Sequence, residues 1–152
     1  EKTKKDPKIK WVNDIFVDDK KICGILTEAV SNFESGSVES VIIGIGINLN
    51  TSDFPDEIKE TAGSLKTQIS RNELVAEIYE RIASLCSKLP EKGFMDDYRR
   101  YSCVIGNKIS FIRNGVNITA KAENINDNGE LEVITDDDEK LTLNSGEISI
   151  KL

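Results

Sequence analysis

From about Cys103 to its end the chain reads CVIGNKISFI, NGVNITAKAENI, NGELEVIT, KLTLNSG and EISIKL. These are five short strand-like runs joined by Asn-Gly and Asp-rich turns, with no room for a helix. Five strands packed into so few residues have the length and rhythm of a small SH3-like or OB-like β-barrel. The acidic run Asp136-Asp137-Asp138-Glu139 then falls at a hairpin tip. A boundary near Tyr101 follows, with residues 1–101 in one domain and 102–152 in a second.

The first part has a different texture. Residues 8–17 (KIKWVNDIFV) and 20–30 (KKICGILTEAV) are rich in Ile, Val, Phe and Trp, with Asp18-Asp19 as the turn of a hairpin. After a polar loop at 31–37, the Val-Ile-Ile core of VESVIIGIGINLN (38–50) predicts a strand buried on both faces, the third of an antiparallel sheet. Pro55 followed by Asp-Glu predicts a short helix that Gly63 ends. Ser70, with Glu73 three residues on, is a capping box for the longest helix. Leu74, Ile78, Ile82 and Leu85 form its apolar stripe, widened by Ala76, Ala83 and Cys86, and Pro90 closes it. GFMDDYRRYS is a shorter amphipathic stretch. The class is α+β.

A net charge of −7, with 31% of residues charged, argues against bulk nucleic-acid binding but leaves room for an anionic ligand beside a local lysine cluster. No apolar run is long enough to span a bilayer. Cys23, Cys86 and Cys103 are odd in number and set among apolar neighbours, which reads as three buried thiols in a reducing cytoplasm. The chain has no His, which excludes a Ser-His-Asp triad and a His-based zinc site. Its start, EKTKKDPKIK, has no Met and reads as the interior of a longer protein.

Three clusters hold the remaining chemistry. Asn13-Asp14, directly after Lys10-Trp11-Val12, is either an Asx-capped turn or a strand break that aims an amide and a carboxylate into a cleft. Lys20 and Lys21 point to opposite strand faces, and Lys21 would share its face with Cys23 if Ile22 is buried. A lysine on an apolar inner face needs an anion, whereas one on an edge strand only keeps the edge from pairing. Gly24 in mid-strand suggests close approach to the backbone. In Gly44-Ile45-Gly46-Ile47-Asn48 the third Gly and the Lys-Ser/Thr of phosphate loops are missing. Alternating glycines instead clear one face of a strand for a planar ligand, with Asn48 able to donate and accept at its end.

In this order, KWVNDI, KICGILTE and GIGINLN resemble the biotin protein ligase (biotin–[acetyl-CoA-carboxylase] ligase) family, whose pattern is K-W-P-N-D, K-x-x-G-I-L-x-E and G-x-G-I-N. The AGSL run and the ending SGEISIK are similar as well, so the resemblance covers nearly the whole chain. It implies the C-terminal half of a class II synthetase-like catalytic domain, with a mixed or antiparallel sheet and helices, followed by an SH3-like domain. It also implies the reaction: ATP and biotin form biotinyl-5′-AMP, and the biotinyl group passes to a lysine of a biotin carboxyl carrier protein. By the same resemblance Lys21 is catalytic and contacts the biotin carboxyl and α-phosphate. Gly24 and Ile25 line the biotin site. Lys10, Asn13, Asn48, Glu147 and Lys151 serve the nucleotide, and Asp14 serves Mg²⁺.

Two departures bear on this. Val12 stands where the pattern has Pro, and Lys151 where Arg is common; lysine is not a bidentate phosphate partner. The family's G-R-G-R-x biotin loop, and any N-terminal DNA-binding domain, lie upstream of the stretch this sequence covers. These residues alone are therefore expected not to biotinylate a carrier. A second reading is a non-enzymatic module that pairs as a homodimer or with a partner, its polar clusters being only turns.

Overall fold

A computed structural model describes residues 5–32 and 36–150. In chain order its elements are β1 (Lys8–Lys10), β2 (Asp14–Val17), β3 (Lys20–Ser31), β4 (Val38–Ile47), α1 (Arg71–Cys86), a 3-10 turn at Leu89–Glu91, α2 (Phe94–Tyr101), β5 (Lys108–Arg113), β6 (Val116–Ile125), β7 (Leu131–Thr135), β8 (Lys140–Leu143) and β9 (Ile148–Ile150). They form two compact units, one from Asn13–Thr67 and one from the residues before and after it. The expected boundary near Tyr101 lies inside the second of these, between α2 and β5.

In the Asn13–Thr67 unit, β2, β3 and β4 form an antiparallel sheet. Asp18 and Asp19 make the two-residue turn that pairs Val17 with Lys20, and both have positive φ (52° and 59°). Aspartates tolerate that region, and two such residues in succession match the right-handed twist of a hairpin. The core is small: Val17, Ile22 and Cys23, with Ile15, Ile25, Ile47 and Leu65 packed against them.

Two expectations fail in this unit. The Val-Ile-Ile run is not buried on both faces: Val41, Ile42 and Ile43 are 52%, 57% and 44% exposed, as are Leu26 and Val30 on the neighbouring β3, so this end of the β3–β4 pair has neither face covered among the described residues. Residues 55–62 are not a helix. Separate turns from Pro55 to Lys59 and from Ile58 to Ala62 lead instead into an extended passage alongside β3, where Lys21 N–H donates to Thr61 O and Gly63 N–H to Lys21 O, each at 2.8 Å.

In the other unit α1 is capped as expected, Ser70 Oγ accepting from Glu73 N at 3.2 Å. Its stripe is only half-covered: Leu74, Ile78 and Ile82 are partly buried, while Leu85, Ala76, Ala83 and Cys86 are exposed. Cys86 is thus an exposed thiol rather than a buried one; Cys23 is buried and Cys103 lies between. The five expected strands all form, in the order β8-β7-β6-β5-β9. Alternate residues fill their core, among them Ile109 and Phe111, Ala120 and Ala122, Leu131 and Val133, as the period of two requires. Asn114 and Gly115, with φ of 52° and 77°, turn β5 into β6. The sheet remains open: β8 and β9 are its two edges, and no closed barrel forms among the described residues.

Trp11 and Met95 are buried in this same core. The Trp11 indole N–H donates to Gly129 O at 2.9 Å, and Arg99 Nε donates to Ile125 O at 2.6 Å while its guanidinium also pairs with Asp96 and Asp127. No helix among the described residues is long and apolar enough to cross a membrane.

Candidate active site

The polar chemistry of the Asn13–Thr67 unit gathers where β2 meets β3. Register there is Asp14 with Gly24 and Ile15 with Cys23, but Phe16 pairs with Lys21, so β3 carries one extra residue at Ile22. A bulge of this kind resets the alternation of side chains. Ile22 and Cys23 are consequently both buried, and Lys21 turns to the face of Asp14 and Gly24. The expectation that Lys21 shares a face with Cys23 is therefore wrong; no sequence pattern marks a bulge at an isoleucine.

Lys21 Nζ lies 2.7 Å from Asp14 Oδ1, with the lysine side chain 46% exposed and the aspartate 20%. The pair sits over Gly24: a Cβ there would fall 3.3 Å from Lys21 Cε and 3.4 Å from both Nζ and Asp14 Oδ1. Gly24 leaves room for the ammonium to lie against the strand. An ammonium held on one side by a carboxylate and open on the other can take a second anion by a charge-assisted hydrogen bond. Beneath it, burial pushes the Cys23 thiol pKa up, with Asp14 adding to the rise and Lys21 opposing it. Cys23 is a neutral core side chain, not a nucleophile.

Asn13 is fixed twice to one residue: its backbone O accepts from Ile25 N at 2.9 Å, and its Nδ2 donates to Ile25 O at 2.7 Å. One N–H and the carboxamide oxygen remain for a ligand. Asn48 is anchored to the same strand, its N–H donating to Ile22 O at 2.8 Å while its carbonyl accepts from Leu65 N at 2.9 Å and Ser64 Oγ at 3.1 Å. The glycines of β4, which ends at Ile47 directly before Asn48, are open: a Cβ on Gly46 would meet only Gly24 O at 3.9 Å, and one on Gly44 only Leu26 at 3.8–3.9 Å.

Lys21, Asp14, Gly24, Asn13, Ile25 and Asn48 thus share one sheet and its flanking segment. Lys10, half-buried at the end of β1, and Glu147, exposed before β9, belong to the other unit. Lys151 lies outside the described residues. Sequence reasoning missed Thr61 and Gly63, which pin the backbone of Lys21, and Ser64, which pins Asn48. Only the small Ala-Gly-Ser run hinted at a close approach. No group of three acidic or Cys side chains able to hold a metal occurs among the described residues. Asp14 with its second oxygen supplies a single carboxylate. That fits Mg²⁺, which is commonly held by one or two carboxylates together with phosphate oxygens of its substrate.

Comparison with known proteins gives concordant results. Residues 1–48 match the biotin/lipoate A/B protein ligase family, and residues 104–151 match the biotin protein ligase C terminal domain. The bifunctional ligase/repressor BirA of Bacillus subtilis (strain 168) is 58% identical over 59 residues, 38% of this chain and 18% of that protein. The biotin–[acetyl-CoA-carboxylase] ligase of Mycobacterium tuberculosis is 29% identical over 133 residues, 81% of this chain and 46% of that protein. The chain thus spans less than half the length of either curated relative. Among solved structures, the biotin protein ligase from Aquifex aeolicus in complex with biotin and ATP superposes with a TM-score of 0.76 at 26% identity, over 95% of this chain and 62% of that one. Its apo form gives 0.77 at 27%, over 95% and 65%.

Proposed function

We infer the activity from one premise: the chain belongs to the biotin protein ligase family. It would form part of an enzyme that activates biotin with ATP and transfers it to a lysine of a biotin carboxyl carrier protein. The observation that carries this reading is the Lys21–Asp14 pair at 2.7 Å over Gly24, with the ammonium open on one side.

In the first step a carboxylate oxygen of biotin attacks the α-phosphorus of ATP, and the bond to the pyrophosphate leaving group breaks. Lys21 supplies a fixed positive charge beside the carboxylate and the α-phosphate, where negative charge builds in the transition state. Preorganised charge of this kind lowers a barrier without reorganisation at the moment of reaction. Asp14 holds the ammonium in place, and its other oxygen, with phosphate oxygens, would hold Mg²⁺. Bound there, the ion would neutralise phosphate charge. Asn13, locked to Ile25, presents its remaining amide groups to the nucleotide, and Asn48 presents its carboxamide at the end of the glycine-cleared strand. Gly24 and Ile25 line the biotin side; Lys10, Glu147 and Lys151 add nucleotide contacts. In the second step the amine of the carrier lysine attacks the acyl carbonyl and AMP leaves.

The five-stranded sheet of β5–β9 is read as the SH3-like C-terminal module, beginning near residue 102. The family match that begins at residue 104 supports that boundary. The open apolar edge of β4 suits pairing with a second copy. A cytoplasmic site of action is the setting this chemistry needs, and DNA binding would fall to a segment outside these residues. The test is direct: the whole protein that carries this chain, given biotin and MgATP, should release pyrophosphate only when biotin is present and should then label a carrier domain. Pyrophosphate release that ignores biotin would overturn the reading.

A further inference from the structure

Residues 64–67 run back alongside 48–50, and each step is bonded. Asn48 O accepts from Ser64 Oγ at 3.1 Å and from Leu65 N at 2.9 Å, and Leu49 O accepts from Lys66 N at 2.7 Å. At the next step a side chain takes the place of the backbone. Asn50 Nδ2 donates to Thr67 O at 3.1 Å, while its Oδ1 accepts from Thr67 N at 3.0 Å. A carboxamide carries a donor beside an acceptor, so it engages both backbone groups of Thr67 at once. Lys66, between these two steps, has φ of 51°, a left-handed conformation that a residue with a Cβ keeps only when its neighbours hold it.

The same segment reaches Lys21. Thr61 O accepts from Lys21 N, Gly63 N–H donates to Lys21 O, and Leu65 packs with Val17, Ile22 and Cys23. Residues 61–67 thus form one strap that meets Lys21 at its start, Asn48 in its middle and Asn50 at its end. Asn50 is itself exposed, so replacing it leaves the core untouched.

We propose that Asn50 is a positioning residue for Lys21 and Asn48, acting through the strap that its carboxamide fastens at Thr67. The inference rests on the reading of this cluster as the adenylation site. On that reading Lys21 serves the α-phosphate and Asn48 the nucleotide, so a loosened strap changes two kinetic parameters together. A misplaced charge beside the α-phosphate slows the chemical step, and a misplaced Asn48 weakens ground-state binding of ATP. Partial unfolding, by contrast, removes active molecules and lowers kcat alone.

The experiment is Asn50→Ala in the whole protein, with two readouts. Two exposed hydrogen bonds are lost, so the Lys21, Gly63 and Leu65 amides should exchange about tenfold faster. The Ile25 amide, which donates to Asn13 O in the same sheet, should be unchanged. In biotin-dependent pyrophosphate release, kcat should fall about tenfold and KM for ATP should rise about threefold or more. Equal acceleration at Ile25 would make Asn50 a general stability residue and overturn the proposal, as would unchanged exchange at Lys21 and Gly63. A change in kcat alone, or in KM alone, would overturn it too. If the unsubstituted protein releases no pyrophosphate, the adenylation reading fails, and exchange at Lys21 still decides whether Asn50 fastens the strap.

Discussion

Replacing Gly24 with alanine introduces a Cβ 3.3 Å from Lys21 Cε and 3.4 Å from both Lys21 Nζ and Asp14 Oδ1. The atoms in the way are the ends of side chains, so the backbone need not move and the ammonium gives way by a few tenths of an ångström. The fold loses little: alanine in a strand interior is favoured over glycine by about 0.5–1 kcal/mol, which offsets the crowding. Catalysis is less forgiving, since a misplacement of about 1 Å in a reacting geometry lowers the rate by roughly 100-fold. A smaller shift of the charge beside the α-phosphate should slow adenylation about tenfold, or about 1.4 kcal/mol in the barrier. The assay is biotin-dependent pyrophosphate release in the whole protein, paired with a thermal melt. A tenfold slower rate at an unchanged melting temperature fits the argument. A normal rate would show that the ammonium position beside Gly24 is not used in the reaction.

Gly63→Ala should destabilise the protein by about 1–3 kcal/mol in urea unfolding, because its Cβ would lie 2.6 Å from Lys20 Cβ and push the 61–63 passage off Lys21. Gly93→Ala, with nothing within 4 Å, is the control and should change little. Gly46→Val fits the chain itself, so the fold should survive by circular dichroism while nucleotide or biotin affinity in calorimetry is lost; normal affinity would sink the cleared-strand idea. Tyr98, with its pKa raised by burial to about 12, stays protonated in the folded state at a pH where the unfolded chain ionises. Stability is therefore full below pH 10 and should fall between about pH 10 and 12, by about 1–2 kcal/mol once partial solvent exposure is allowed for. Tyr98→Phe should flatten that part of the urea-stability profile.

What the sequence makes legible follows from how local each signal is. The Ser70 cap, the Asp18-Asp19 and Asn114-Gly115 turns and the alternation of β5–β9 are fixed by near neighbours, and all are present. Burial is not local. The run Val41–Ile43 has the composition of an interior strand, yet it is exposed together with Leu26 and Val30 of the neighbouring β3, because nothing among the described residues covers that part of the sheet. The bulge at Ile22 escapes for the same reason, since register depends on the partner strand, and with it went the facing of Cys23. The opposite facing of Lys20 and Lys21 survives, because they pair with successive residues, Val17 and Phe16. The family pattern assigns Lys21, Asp14 and Gly24 separate roles, but neither the Lys21–Asp14 ion pair nor its place over Gly24 was legible in it. The roles of Thr61 and Gly63 beside Lys21 had no sequence signal beyond small size.

The central claim is that the Lys21 ammonium stabilises adenylate formation, and the sharpest measurement compares two neighbouring lysines. Lys20 faces away from Asp14 and donates to Lys59 O at 3.2 Å, whereas Lys21 lies on Asp14. In single-turnover biotinyl-adenylate formation by the whole protein, Lys21→Ala should be slower by about 100-fold or more, the size expected for removing one preorganised transition-state contact. Lys20→Ala should stay within about twofold, as a substitution outside the reacting geometry does. Equal losses in the two variants, or a Lys21→Ala protein that forms the adenylate at the normal rate, would contradict the account.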